Sequence, residues 1–161
     1  MFKKIGILCL ILVGCTFHTP TEFTQKALED SFVTVDKESI QLKEIIQKYK
    51  GKKVLINVWA SWCKDCIVSM PKLKELQKSF PEVPFVFLST DKSVKSWKKG
   101  IDNYQLKGDH YFMKSGLDSD FGDFLNSNWI PRYLVVDENG FVKLFKATKV
   151  TDPRIVEALK K

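Results

Sequence analysis

The run Lys53-Val54-Leu55-Ile56-Asn57-Val58-Trp59-Ala60 most restricts what this chain can become. It is nearly continuous in β-branched, aliphatic and aromatic side chains, so it reads as a strand buried on both faces at the centre of a sheet. The pattern then changes. Ile67, Met70, Leu73, Leu76 and Phe80 recur at three- and four-residue steps, which predicts a helix that begins near Cys63 and ends before Pro81. Phe85-Val86-Phe87-Leu88-Ser89-Thr90 is a second run of the buried type. A buried strand, a helix and another buried strand, in that order, predict a parallel pair joined by a crossover.

The flanking sequence completes an α/β domain. Phe32, Val33 and Val35 alternate with polar residues as a short strand, and Ile40, Leu42, Ile45, Ile46 and Tyr49 follow at helical spacing until Gly51. Val94, Trp97, Ile101 and Tyr104 mark a further helix, with Asp91 and Ser93 as candidate caps. Residues 110–113 read as a short extended stretch, and Asp118 or Ser119 as the cap of a helix containing Phe121, Phe124 and Leu125. Two apolar runs, 133–136 and 141–145, flank Asp137-Glu138-Asn139-Gly140, a hairpin signal ending in Asn-Gly. Asp152-Pro153 opens a last helix. The expectation is a three-layer α/β fold with a mixed central sheet flanked by helices. At 161 residues and 44% apolar, the chain suits one packed domain and excludes disorder or a collagen-like repeat. Its net charge of +7 comes from 26 basic and 19 acidic residues interspersed without a long block, which argues against nucleic-acid binding.

The N-terminus reads as an address. Lys3 and Lys4 precede ten mostly apolar residues, 5–14, too few for a membrane span of about 20 and suited to a secretory signal. Leu12-Val13-Gly14-Cys15 resembles the bacterial lipobox, which implies diacylglycerol on the Cys15 sulfur and cleavage in front of it. The expected organisation is a lipoprotein signal peptide over 1–14, a polar tether over 15–30 and the folded domain over 31–161. An ordinary signal peptide with an incidental Cys15 is the alternative. Either places the domain outside the cytoplasm, where a closely spaced cysteine pair can close into a disulfide.

With Cys9 removed and Cys15 acylated, the domain keeps Cys63 and Cys66. Trp62-Cys63-Lys64-Asp65-Cys66 sits where the central strand hands over to a helix, which puts Cys63 at or near the helix N-terminus. The free N–H groups and the positive dipole end there stabilise a thiolate. Cys63 is therefore the candidate nucleophile, and Cys66, one turn inward, the candidate resolving thiol. Lys64 favours the Cys63 thiolate and Asp65 opposes it.

Val58-Trp59-Ala60-Ser61-Trp62-Cys63-Lys64-Asp65-Cys66 resembles the thioredoxin active-site segment. Together with the lipoprotein signal and the long segment between Phe85 and Trp129, it is similar to the TlpA/ResA-type branch. Pro71 matches the family's helix-kinking proline, and Ile130-Pro131 its cis-proline loop. The resemblance implies a thioredoxin-like fold and a thiol-disulfide oxidoreductase that reduces extracytoplasmic protein disulfides. The redox-active pair Cys63-Cys66 then serves without a further cofactor, and the partners are protein thiols or disulfides plus an electron donor. By the same resemblance Pro131 is cis and the Ile130 backbone pairs with an extended substrate strand. Trp62 belongs to the docking surface, whereas Trp59 reads as core. Two positions depart from the pattern: Ser69 stands where many relatives carry a Glu, and Asn57 where thioredoxin has a buried Asp.

Other readings of the pair stay open at this level. The disulfide is purely structural if the domain is a non-catalytic interaction module. A peroxiredoxin-like peroxidase is the enzymatic rival, but no suitably placed Pro precedes either cysteine. Zinc needs four ligands, and only His18 and His110 are available to join the pair. Asp118-Ser119-Asp120 lacks the rest of a calcium loop and suits a helix cap better. His110 has no partner visible in the sequence. Pro71 inside a helix costs about 3 kcal/mol and must bend or end it, with a bend expected.

Overall fold

The computed structural model describes residues 19–160; the expected signal segment and Cys15 lie outside the described residues. In chain order the elements begin α1 (Gln25–Glu29), β1 (Ser31–Thr34), β2 (Ser39–Gln41), α2 (Leu42–Lys48), β3 (Val54–Trp59), α3 (Lys64–Ser79) and β4 (Phe85–Ser89). They continue with α4 (Val94–Tyr104), β5 (Asp109–Met113), α5 (Asp120–Leu125), β6 (Arg132–Val136), β7 (Val142–Ala147) and α6 (Pro153–Lys160). The strands form one mixed sheet in the order β2-β1-β5-β4-β3-β6-β7.

The two apolar runs occupy the middle of that sheet because both of their faces are covered. Every residue of β3 and of β4 is buried. The two strands pair in parallel from Leu55 opposite Phe85 to Trp59 opposite Ser89, and β5 extends the parallel set beside β4. On the other side β6 runs antiparallel to β3, and β7 closes the edge as the hairpin partner of β6. Gly140 has φ +91° in that hairpin turn, a conformation its missing Cβ permits. The parallel strands all end at the side of the sheet where β3 passes into α3, and that is where the cysteines lie.

Three expectations are corrected by packing. The segment read as a tether is folded in its second half. Thr24 Oγ1 accepts the Ala27 N–H at 3.2 Å to cap α1, Phe23 and Ala27 are buried, and Phe23 lies against Phe124 with ring centroids 5.1 Å apart. The Val142 N–H also donates to the Thr21 carbonyl at 2.7 Å. The domain thus begins near Thr21; polar composition hid this because only two side chains carry the burial. Ile40, read as helical, pairs with Phe32 in β2 before α2 begins, since the sheet edge offers β1 as a partner. Asp91, read as a possible cap of α4, turns instead to the β3–α3 junction, and Ser93 caps that helix through Ser96 N–H at 3.1 Å.

Helix α3 continues through Pro71 rather than ending there. It buries Met70, Leu73 and Leu76 of the periodic face read from the sequence, with Cys66 in place of the half-buried Ile67, and Phe80 follows the helix as its C-cap. Ser119 caps α5, accepting the Gly122 N–H at 3.2 Å.

Candidate active site

The site is built on the turn between β3 and α3. The Cys63 N–H donates to the Ala60 carbonyl at 3.1 Å, which closes the turn. A carboxylate from beyond β4 holds it from the side. Ser61 donates through its N–H to Asp91 Oδ2 at 3.0 Å and through its hydroxyl to Oδ1 at 2.6 Å, while Ser89 Oγ donates to Oδ2 at 2.8 Å. Asp91 is 3% exposed, so these bonds replace the water it has lost. Held there, the turn directs Trp62 outward, 60% exposed.

Cys63 is the N-cap of α3, as its place in the sequence predicts. Its Sγ accepts the Cys66 N–H at 3.1 Å, one of the first-turn donors that have no partner within the helix. The two cysteines form a disulfide with their Cα atoms 5.2 Å apart. Cys63 is the less enclosed, at 6% exposure against 1% for Cys66. The arrangement stabilises negative charge on the outer sulfur: a hydrogen-bond donor lies beside it, and a helix of 16 residues points its positive end at it.

The loop before β6 faces this sulfur. The Ile130-Pro131 bond is cis, and the Ile130 carbonyl oxygen lies 3.7 Å from Cys63 Sγ. Asn57 secures the junction from beneath, donating through Nδ2 to the Arg132 carbonyl at 3.3 Å. It thus satisfies buried backbone between β3 and β6. Ser69 donates to the Cys66 carbonyl at 2.7 Å and meets the Tyr133 hydroxyl at 3.0 Å. Burial raises the pKa of the Tyr133 phenol and the Ser69 bond opposes that shift, so this corner holds neutral hydroxyls at neutral pH. Lys64 and Asp65 are exposed.

One groove is lined by Cys63, and a second adjoins it through Asp65 and Trp129. The first, of about 490 Å³, is lined by Trp62, Cys63, Asp65, Leu117, Trp129 and Ile130 among others. The second, of about 510 Å³, includes Val68, Ser69, Trp129, Pro131 and Val150. Trp129, 51% exposed, is common to both. The structure therefore brings together Trp62, Cys63, Cys66, Ile130 and Pro131 with Lys64 and Asp65 at the rim. Sequence reasoning missed Asp91, Trp129, Arg132 and Tyr133 as parts of this region. Trp129 and Arg132, on either side of Ile130-Pro131, carried a positional hint. His110 is engaged elsewhere, stacked on Phe87 at 4.8 Å with Nε2 against the Leu106 carbonyl. Among the described residues no group of three or more His, Cys, Asp or Glu is placed to hold a metal ion.

A mixed sheet that delivers a dithiol to a helix N-terminus, opposite a cis-proline loop, defines the thioredoxin fold equipped for thiol-disulfide exchange. A sequence profile of the thioredoxin-like family matches residues 51–142. The thioredoxin-like protein YneN of Bacillus subtilis is 33% identical over 159 residues, covering 89% of this chain and 89% of that protein. The thiol-disulfide oxidoreductase ResA of Bacillus thuringiensis is 30% identical over 115 residues, 66% of this chain and 65% of ResA. The solution structure of a Bacteroides vulgatus thiol-disulfide oxidoreductase superposes with a TM-score of 0.68 at 32% identity, over 85% of this chain and 88% of that one. A secreted Mycobacterium tuberculosis disulfide oxidoreductase homologous to DsbE shares the fold, with a TM-score of 0.62 at 17% identity over 85% of this chain and 98% of that one. The chain belongs to the thioredoxin-like family and is similar to thiol-disulfide oxidoreductases of the ResA type.

Proposed function

We propose that this protein is a lipid-anchored reductant of extracytoplasmic protein disulfides, with Cys63 as nucleophile and Cys66 as resolving thiol. The observation that carries the roles is the difference between the sulfurs: Cys63 caps α3 and accepts the Cys66 N–H, while Cys66 is the more deeply buried. In the reduced protein the Cys63 thiolate attacks one sulfur of the partner's disulfide. A mixed disulfide forms and the partner's other sulfur leaves, taking up a proton. Cys66 then loses its proton and attacks Cys63. The internal disulfide forms, the partner's second thiol is released, and two electrons have passed to the partner. A donor dithiol must return them.

Trp62 and the Ile130 backbone, which line a groove with Cys63, form the docking surface together with Pro131 in the adjoining groove. Lys64 and Asp65 act on Cys63 through their opposite charges from the rim. The address rests on the resemblance of Leu12-Val13-Gly14-Cys15 to a lipobox, and a secreted neighbour among the solved structures agrees with an extracytoplasmic domain.

A Cys66→Ser variant expressed in the native host tests the roles. It retains attack but not resolution, so non-reducing gels should show adducts that dithiothreitol dissolves, whereas Cys63→Ser should show none. Adducts with Cys63→Ser alone would reverse the assignment. Cys15→Ala should move the protein from the detergent to the aqueous phase of a detergent partition.

A further inference from the structure

Arg132 follows Pro131 directly, and its environment is unusual for a cation. It is 4% exposed, yet among the described residues no carboxylate lies within salt-bridge distance of it. Its Nη1 donates to the Pro131 carbonyl at 2.9 Å, and among the described residues its Nε has no hydrogen-bond partner. Burying an unpaired charge is costly, and a guanidinium stays protonated in protein interiors. What the cation does have is an aromatic face: its central carbon lies 3.5 Å from the centroid of Trp129. That indole is half exposed and forms a wall of the groove that holds Cys63 and of the groove adjoining it.

We propose that Arg132, stacked under Trp129, makes this tryptophan a rigid apolar platform that selects partner segments carrying an aliphatic or aromatic residue beside the reacting cysteine and rejects those carrying a lysine or arginine there. The proposal rests on the exchange reading above and adds a substrate class to it. Arg132 is a positioning residue, since it acts through Trp129.

Two observations carry the argument. Among the described residues five large apolar side chains are exposed, and three of them, Trp62, Val68 and Trp129, line the groove that holds Cys63 or the one adjoining it. Such a patch marks a docking surface for apolar groups. The second observation is the charge beneath the ring. A tryptophan face ordinarily attracts cations through its quadrupole, but here one face already holds a guanidinium. A second cation on the open face would sit about 7 Å from the first, inside the screening length of physiological salt. The open face thus accepts apolar side chains and repels basic ones. Stacking also restricts the indole to one orientation, so that the surface is preorganised for its partner.

The test uses the reduced protein and short synthetic peptide disulfides that differ only in the residue next to cysteine: leucine, tryptophan or lysine. Exchange oxidises Cys63-Cys66 and releases two peptide thiols, followed by chromatography. For the wild type, second-order rates with leucine or tryptophan neighbours should exceed the lysine rate by about tenfold, about 1.4 kcal/mol. Arg132→Gln should shrink that ratio to about twofold, with the lysine peptide reacting faster than on the wild type. Arg132→Lys, which keeps the charge, should restore rejection of lysine. A merely structural role would lower all rates alike and leave the ratio intact. Trp129→Ala, which removes the platform, should also abolish the preference. An unchanged ratio in Arg132→Gln, or no preference in the wild type, overturns the proposal. Failure of the wild type to react with any peptide disulfide would instead overturn the exchange reading on which it rests.

Discussion

Asp91 offers the sharpest test of how the site is held. Its carboxylate accepts three side-chain or backbone donors from Ser61 and Ser89 in a buried position. Hydrogen bonds to charged groups contribute about 1.5–3 kcal/mol each, and a buried donor left unsatisfied costs about 1–3 kcal/mol. The serine hydroxyls can rotate to other acceptors, but the Ser61 N–H cannot. Asp91→Ala should therefore destabilise the oxidised protein by about 3–5 kcal/mol. Asp91→Asn should cost less, about 2 kcal/mol, because its amide oxygen still accepts at one position while its NH₂ group faces a donor at the other. Ser61→Ala removes only the hydroxyl bond and should cost about 1 kcal/mol. Urea unfolding reads these values. With a slope of about 2 kcal/mol/M, the Asp91→Ala midpoint should fall by about 2 M. The double variant should show a coupling of about 1 kcal/mol between Asp91 and Ser61. An Asp91→Ala variant within about 0.5 kcal/mol of the wild type would refute the reasoning, since that is the size of an ordinary surface change.

Two further outcomes follow from packing and titration. Burial lowers the pKa of His110, outweighing the raising effects of the Leu106 carbonyl and of Asp109. Above pH 6.5 folded and unfolded forms are both neutral at this residue. As pH falls from about 6.5 toward the lowered folded pKa, the unfolded chain binds more protons and stability drops, by up to about 1.4 kcal/mol per pH unit. His110→Phe should flatten that window in urea titrations at fixed pH steps; an unchanged slope would sink the assignment. Gly122 in α5 has no room for a side chain, because an added Cβ would collide with the Leu117 backbone. Gly122→Ala should lower stability by about 2 kcal/mol or more in thermal melts, against the helix propensity that alone would favour Ala. A higher melting temperature would show that this approach relaxes freely.

Much of this was legible in local pattern. The buried runs became β3 and β4, the three- and four-residue steps became the inner face of α3, and the Asn-Gly turn joined β6 to β7. Cys63 was legible as a helix N-cap because strand and helix periodicities meet at that residue. The start of the domain was not, because Phe23 and Ala27 are two apolar residues without a period and acquire their role only against Phe121, Phe124 and neighbouring segments.

The placement of the pair at a helix start and the class of fold were determined by the sequence alone, since both depend on neighbours within a few residues: side-chain alternation, helical spacing and a thiol where strand gives way to helix. The surroundings of that pair were decided only by tertiary structure. Asp91 lies 30 residues from Ser61, and Ile130 lies 67 from Cys63. Nothing local distinguishes an aspartate that caps a helix from one that clamps a distant turn, or an arginine in solvent from one buried under Trp129. Strand order makes those distinctions. By placing β3 between β4 and β6, the sheet brings the Asp91 and Ile130 loops to the same end of β3 and encloses the outer sulfur between them.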